Sequence, residues 1–250
     1  MGLTIGVAGA SGGLGASTLV AALVMRAPAV LDDCRVSVAV DLDPRGGLET
    51  TLCLEHLDGM RWTDVENADW LAANPGGPVR VVDLPGAEHV HVLSGPGDHP
   101  LDGRLVDDVL EALATAADVV VVDCGHRPSA SLLSRLDLIT VLARTTARGA
   151  ADLVALRDSG PLTRTAPVLV TRAPGRERHG MSFAGALRLP FLAHLPDDPA
   201  VRRHEHEGIP PGVLRSAVDA IADEVLTVAE STRRSADPTE VVAGRAVGSA

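Results

Sequence analysis

The chain has 250 residues, a formal net charge of −11 at pH 7 and a hydrophobic content of 46%. This length suits a single α/β domain with a full core, and the acidic balance argues against a broad basic face for nucleic acid or anionic lipid. No apolar run approaches the roughly 20 residues that span a bilayer, and no signal peptide is apparent, so we expect a cytoplasmic protein.

A glycine-rich turn follows the first apolar segment of the chain. Residues 3–8 are apolar and rich in β-branched side chains, which predicts a strand, and residues 19–25 are typical of a helix. Between them lies the run Gly9-Ala10-Ser11-Gly12-Gly13-Leu14-Gly15-Ala16-Ser17-Thr18. In such a turn the backbone N–H groups and the helix N-terminus can cradle a phosphate. The turn therefore predicts a phosphate site.

This turn resembles the phosphate loops of two families. One is the deviant Walker A loop of the MinD/ParA ATPases, whose pattern is Lys-Gly-Gly-x-Gly-Lys-Ser/Thr. The resemblance assigns nucleotide binding to Gly12, Gly13, Leu14, Gly15, Ala16, Ser17 and Thr18, with Ser11 and Ala16 at the two lysine positions. The other is the Thr-Gly-x-x-x-Gly-x-Gly loop of short-chain dehydrogenases, which Gly9, Gly13 and Gly15 also match.

The sequence contains no lysine and no tyrosine. The dehydrogenase interpretation therefore loses its Tyr-x-x-x-Lys catalytic pair. The ATPase interpretation loses the lysine that reaches the β- and γ-phosphates. Because neither family's usual chemistry is intact, the loop alone leaves both interpretations open.

Two valine-rich segments further along the chain end in aspartates. Residues 35–40 run into Asp41 and Asp43, and residues 119–122 run into Asp123. Near-continuous valine predicts strands buried on both faces of a parallel sheet, whose carboxyl ends form the ligand edge. By position alone, these carboxylates either face a ligand or cap the turns that follow them.

The resemblance to the MinD/ParA group gives these aspartates roles. The segment 41–44 is similar to its Asp-x-Asp-Pro switch I, which implies that Asp43 orders the attacking water and the magnesium shell. The second segment is similar to a Walker B strand, which implies that Asp123 and Ser17 hold Mg²⁺. A dehydrogenase would instead use Asp41 to bind a ribose hydroxyl.

The remaining segments continue an alternating β and α order. Helical periodicity covers 101–116 and the stretch from Gly212 to about Ala229, and apolar strands are predicted at 136–142 and 167–172. The segment 189–201 resembles the last strand and Pro-x-Asp turn that close on adenine in the MinD/ParA group, and short-chain dehydrogenases lack it. Arg172 stands where those relatives carry an asparagine that reads adenine.

Several polar or aromatic residues are interpreted as structural. His89 and His91 share a strand face without an evident third ligand, and His204-Glu205-His206 is interpreted as a solvated charged segment, so neither predicts a metal site. Trp62 is expected in or near the core, as is Trp70. The three cysteines, Cys34, Cys53 and Cys124, are odd in number and widely spaced, which favours reduced thiols.

Together these features predict a single P-loop-NTPase-like α/β domain at 1–230, with a mostly parallel central sheet and helices on both faces. The stretch 231–250 has no periodicity and forms no basic amphipathic helix, so we expect a disordered tail and no direct membrane insertion.

With Ala16 at a lysine position, the loop is similar to that of the CpaE/TadZ branch of the MinD/ParA family. This resemblance implies a spatial organiser of the division septum or of Tad/Flp pilus or secretion machinery. It also implies protein partners in that machinery, a nucleotide-gated homodimer and a polar or septal location.

The missing lysines lower the affinity for ATP and the rate of ATP hydrolysis that we expect. We expect weak or no binding of ATP and Mg²⁺ with little or no hydrolysis, and the position of Arg45 or Arg148 makes either a candidate for partial compensation. Two alternatives stay open. One is a catalytically dead short-chain-dehydrogenase-like NAD(P)-binding protein, and the other is a scaffold that binds no nucleotide.

Overall fold

The computed structural model describes residues 1–43, 46–65, 79–95, 101–126, 128–159, 162, 165–173 and 179–235. Its strands are β1 (Leu3–Gly9), β2 (Ser37–Asp41), β3 (Gly86–Ala87), β4 (Val90–Leu93), β5 (Val119–Asp123), β6 (Leu138–Arg144), β7 (Ala166–Ala173) and β8 (Phe191–Pro196). Its helices are α1 (Ala16–Val30), α2 (Leu48–Thr51), α3 (Trp62–Val65), α4 (Gly103–Ala116), α5 (Ala130–Leu133), α6 (Ala147–Ser159), α7 (Gly180–Leu187), α8 (Pro199–His206) and α9 (Ala217–Arg234).

The eight strands form one sheet in the order β3-β4-β2-β5-β1-β6-β7-β8. Every neighbouring pair is parallel except β3 and β4, so the predicted mostly parallel α/β architecture is confirmed. In the register of the central strands, Asp123 pairs with Asp41 on β2 and with Val7 on β1. The ends of β1, β2 and β5 therefore meet at one edge of the sheet.

The core has two layers, one on each face of the sheet. Val119 and Val121 belong to the layer that includes α1 and α9, whereas Val120 and Val122 belong to the layer that includes α4, α6 and α7. All four valines are at most 1% exposed, as the continuous valine run predicted. Because each buried valine contributes roughly 1.5–3 kcal/mol relative to exposure, this strand anchors both layers.

The last helix begins and ends later than the sequence indicated. It was expected at residues 212–229 and instead covers Ala217–Arg234, passing the expected domain boundary at residue 230. Thr232 is buried, and Arg233 binds Glu230 and donates to the Met1 carbonyl at 3.1 Å, so the final turn packs on the domain. The remainder of the expected tail, 236–250, lies outside the described residues.

Two of the structural interpretations can be checked directly. Trp62 is 2% exposed, as expected, whereas Trp70 lies outside the described residues. The solvated interpretation of the histidine segment is wrong in part, because His204 is only 9% exposed while His206 is exposed. Residues two apart on a helix point in different directions, so α8 buries one histidine and exposes the other.

Candidate nucleotide site

The glycine-rich turn is held in a defined shape between β1 and α1. Gly13 and Gly15 have φ angles of 72° and 88°, in the left-handed region that favours glycine. The Leu14 side chain is 1% exposed and anchors the turn in the core. The Gly9 N–H donates to the Gly125 carbonyl at 3.0 Å, which ties the turn to the loop after β5.

The turn encloses a cavity of about 230 Å³. The structure brings into its lining every nucleotide or metal residue predicted from the sequence except Arg172: Gly12, Gly13, Leu14, Gly15, Ala16, Ser17, Thr18, Asp43 and Asp123. His126, which the sequence did not single out, also lines it. Among the described lining residues there is no lysine or arginine, and Ser11 and Ala16 stand at the two lysine positions.

Ser17 and Asp123 are in direct contact across this cavity. The Ser17 hydroxyl donates to Asp123 Oδ2 at 2.7 Å, and the Gly125 N–H donates to Asp123 Oδ1 at 3.1 Å. On the other side, Asp43 Oδ2 lies 3.9 Å from where a Cβ on Gly125 would stand. The Asp123 side chain is 2% exposed, so its charge faces the cavity from a dry strand end.

This donor set fits Mg²⁺. A hydroxyl and two carboxylates are hard oxygen ligands, and Mg²⁺ in nucleotide sites takes one or two carboxylates while water and phosphate oxygens complete its shell. In the described part of the chain, no three His, Cys, Asp or Glu side chains cluster tightly enough to form an all-protein metal site. A magnesium ion here would therefore depend on Ser17, Asp123 and oxygens from water and phosphate.

Asp41 is a structural residue, and the capping alternative describes it better than a ligand role. It is 3% exposed and accepts hydrogen bonds from the Ser94 hydroxyl (2.8 Å) and from the N–H groups of Leu48 (3.1 Å) and Asp43 (3.0 Å). The Trp62 indole N–H donates to the Asp41 carbonyl at 2.7 Å. Asp41 thus positions the loop that carries Asp43, and its occupied, buried oxygens disfavour the ribose-binding role.

The environment of Asp41 also changes its acidity. Burial raises the pKa of Asp41 to about 6, and the nearby charge of Asp123 adds to the rise. The hydrogen bond from Ser94 opposes it, because it stabilises the carboxylate. Asp41 therefore titrates in a mildly acidic range.

A second cavity of about 390 Å³ continues from the first on the side of β8. The two share Gly13, Gly15 and Thr18, and the second is otherwise lined by Arg172 and by residues 195–198, 201, 202, 205 and 218. The sequence placed the Pro-x-Asp turn here but missed Arg202 and Glu205, which α8 brings in. A ligand with a charged group at one end and a flat group at the other could span both cavities.

Arg172 lies at the junction of the two cavities. Its Nη1 donates to the Leu14 carbonyl at 2.6 Å, and its Nη2 and Nε donate to Asp197 Oδ1 at 3.0 and 3.3 Å. Of the two arginines proposed to compensate for lysine, Arg148 pairs with Asp152 on α6 and lines neither described cavity. Arg45 lies outside the described residues.

Other features of the described chain are separate from the candidate site's chemistry. A larger cavity of about 530 Å³ is lined by Met1, Asp118 and Arg233 among others and contains none of the predicted site residues. The three cysteines are free thiols, and burial raises the pKa of Cys34 to about 11. No helix within the described ranges is long and apolar enough to cross a membrane.

A glycine turn with left-handed residues lies between a central parallel strand and a helix and faces a strand-end aspartate, an arrangement typical of P-loop folds. Comparison with solved structures agrees. A ParA family ATPase from Chlorobium tepidum matches with a TM-score of 0.71 at 16% identity, over 90% of this chain and 98% of its own. The cell division ATPase MinD of Pyrococcus furiosus matches with a TM-score of 0.69 at 23% identity, over 92% and 99%.

A third similar structure is the septum site-determining protein MinD of Pyrococcus horikoshii, complexed with Mg-ADP. Its TM-score is 0.66 at 21% identity, over 90% of this chain and 95% of that one. No protein-family model matches the sequence, and no curated protein matches it significantly. The chain therefore has the MinD/ParA P-loop NTPase fold.

Proposed function

We propose that this chain is a MinD/ParA-like spatial organiser of the CpaE/TadZ type, which binds ATP with Mg²⁺ weakly and hydrolyses it slowly or not at all. One observation carries the proposal. The phosphate turn keeps its left-handed glycines and its Ser17–Asp123 contact, yet Ser11 and Ala16 replace both lysines. The site retains parts that would position a nucleotide, and uncharged residues stand at both lysine positions.

In this proposal each part of the site has a separate task. The backbone N–H groups of the glycine turn bind phosphate oxygens, and Ser17 and Asp123 hold Mg²⁺. When bound, the metal would neutralise charge on the phosphates. Asp43 would order water beside the metal. Asp41 keeps Asp43 in place, because Asp41 Oδ1 accepts a hydrogen bond from the Asp43 N–H.

The absence of both lysines sets the expected rate. A cation that stabilises the transferring phosphoryl group is worth about 10³ to 10⁵ in rate. Ser11 and Ala16 carry no charge, so hydrolysis should fall by a factor of this order relative to a lysine-bearing site. We therefore assign the chain a localising role, in which nucleotide occupancy rather than turnover controls association.

We further propose that its partners belong to the septum or to pilus or secretion machinery, and that two copies associate in the nucleotide-bound state. The domain that does so runs from residue 1 to the end of α9 at Arg234. Support comes from the resemblance of the loop to the CpaE/TadZ branch and from the MinD and ParA folds with which the structure aligns.

Calorimetric titration tests the nucleotide site. Mg-ATP should give binding heat that is lost with EDTA and in Ser17→Ala, because the metal needs the Ser17 hydroxyl. Ser131→Ala is the matched control, since Ser131 likewise donates to an aspartate, Asp107, at 2.7 Å but lies outside both cavities. This control should bind as the wild type does.

The alternatives give different results in the same titrations. Metal-independent binding of NADP would favour the dehydrogenase-like protein. Absence of heat with either ligand would favour a scaffold that binds no nucleotide. ATP turnover at the rate of a lysine-bearing family member would contradict the proposed loss of hydrolysis.

A further inference from the structure

Arg172 is in direct contact with the phosphate turn, although it is distant in sequence. It lies at the end of β7 and is separated from Leu14 by 158 residues, yet its Nη1 is 2.6 Å from the Leu14 carbonyl. A Cβ on Gly15 would stand only 2.5 Å from Nη1. The absence of a side chain at Gly15 therefore lets the guanidinium lie directly against the turn.

The charge of Arg172 is currently matched by Asp197. Nη2 and Nε converge on one oxygen of that carboxylate at 3.0 and 3.3 Å, in an arrangement that faces solvent, with side-chain exposures of 23% for Arg172 and 51% for Asp197. Partly exposed pairs of this kind contribute only about 0.2–1 kcal/mol. Asp197 is thus a partner that a stronger anion can displace at small cost.

Phosphate is such an anion. Guanidinium groups bind phosphate oxygens in a bidentate, charge-assisted manner that is stronger than a neutral hydrogen bond. The cavity enclosed by the turn has no arginine or lysine among its described lining residues, whereas the adjoining cavity has Arg172 at the shared boundary. Arg172 therefore places a guanidinium at the boundary of the turn's cavity, in contact with the Leu14 carbonyl.

We propose that Arg172 takes over phosphate binding from the missing lysines by exchanging Asp197 for a phosphate of the bound nucleotide. The Leu14 carbonyl keeps the guanidinium at the turn during the exchange, and Asp197 holds the side chain in place while the site is empty. This inference rests on the proposed nucleotide site and adds the residue that recognises its phosphates.

The test measures the affinity of the purified full chain for mant-ATP in the presence of Mg²⁺. Arg172→Ala should weaken binding by about 10- to 100-fold, the worth of a charge-assisted hydrogen bond. Asp197→Asn should leave the affinity unchanged or raise it by up to about fivefold, because the competing charge is gone. Arg135→Ala is the matched control, since Arg135 pairs with Asp107 at 3.3 Å and lines neither cavity.

A readout of charge separates phosphate binding from support of the turn. Titrations at several NaCl concentrations should show a weaker salt dependence in Arg172→Ala than in the wild type. Inorganic pyrophosphate should compete with mant-ATP less well in that variant. Thermal unfolding checks that each variant is folded.

The outcomes divide cleanly. The proposal is supported if Arg172→Ala binds mant-ATP about 10- to 100-fold more weakly than the wild type and with a reduced salt dependence. Asp197→Asn must at the same time keep the wild-type affinity or exceed it. If Arg172→Ala binds within twofold of wild type, or if Asp197→Asn loses as much affinity as Arg172→Ala, the proposal is wrong while the nucleotide site stands. If the wild type itself binds no mant-ATP, the proposed function fails first.

Discussion

Replacing Asp41 by asparagine tests the role of this residue as a buried support of the loop that carries Asp43. The pKa of Asp41 is about 6 in the folded chain against an ordinary 3.8, a difference that corresponds to about 3 kcal/mol. Between these two values the folded chain holds a proton that the unfolded chain has lost. The contribution of Asp41 to the wild-type free energy of unfolding therefore decreases as pH rises from about 4 to above 6, and the Asp41→Asn chain lacks this contribution.

Urea unfolding at intervals from pH 4 to pH 7 gives the free energy of unfolding of both chains. The value for wild type minus that for Asp41→Asn should fall by about 3 kcal/mol over this range, whatever constant offset the lost hydrogen bond adds. In a Ser94→Ala background the fall should still begin near pH 4 but extend to higher pH, because the hydrogen bond from Ser94 holds the folded-state pKa of Asp41 down. A difference that is flat with pH, or that rises, would refute the assignment of a raised pKa to Asp41.

Three further substitutions test other parts of the site and fold. Ala16→Lys, which restores a lysine to the turn, should strengthen mant-ATP binding about tenfold or more, with the exposed Ala151→Lys as control; equal affinities would contradict the account. Gly15→Ala should lower the free energy of unfolding by about 1–3 kcal/mol, because it forces a φ of 88° on an alanine that lies against Arg172. An unchanged melting temperature would argue against this backbone conformation. Arg26→Ala should cost under about 1 kcal/mol in chemical unfolding, because its ion pair between α1 and α9 is 30% and 39% exposed, and a much larger loss would show that this pair is tighter than its exposure indicates.

The fold and the phosphate turn were predictable because local patterns determine them. The valine run at 119–122 could be satisfied only by burial on both faces, and the glycine turn needs left-handed residues at Gly13 and Gly15. The strand-end position of Asp123 follows from the same pattern, and the structure adds its contact with Ser17.

Other features depend on contacts between distant segments. Asp41 and Asp43 lie at the end of the same strand, and the sequence does not show which of them is buried. The structure does, because the Leu48 N–H and the Ser94 hydroxyl both donate to the Asp41 carboxylate. The contact of Arg172 with Leu14 joins segments whose proximity arises from the strand order alone. The last turn of α9 forms because Thr232 is buried, which helical periodicity did not reveal.

A crystal structure of the chain with Mg²⁺ and a non-hydrolysable ATP analogue tests the central claim most directly. The account predicts density for the phosphates within the turn at 9–18, with the metal beside Ser17 and Asp123. Density for the analogue elsewhere, with the cavity of the turn empty, would contradict it.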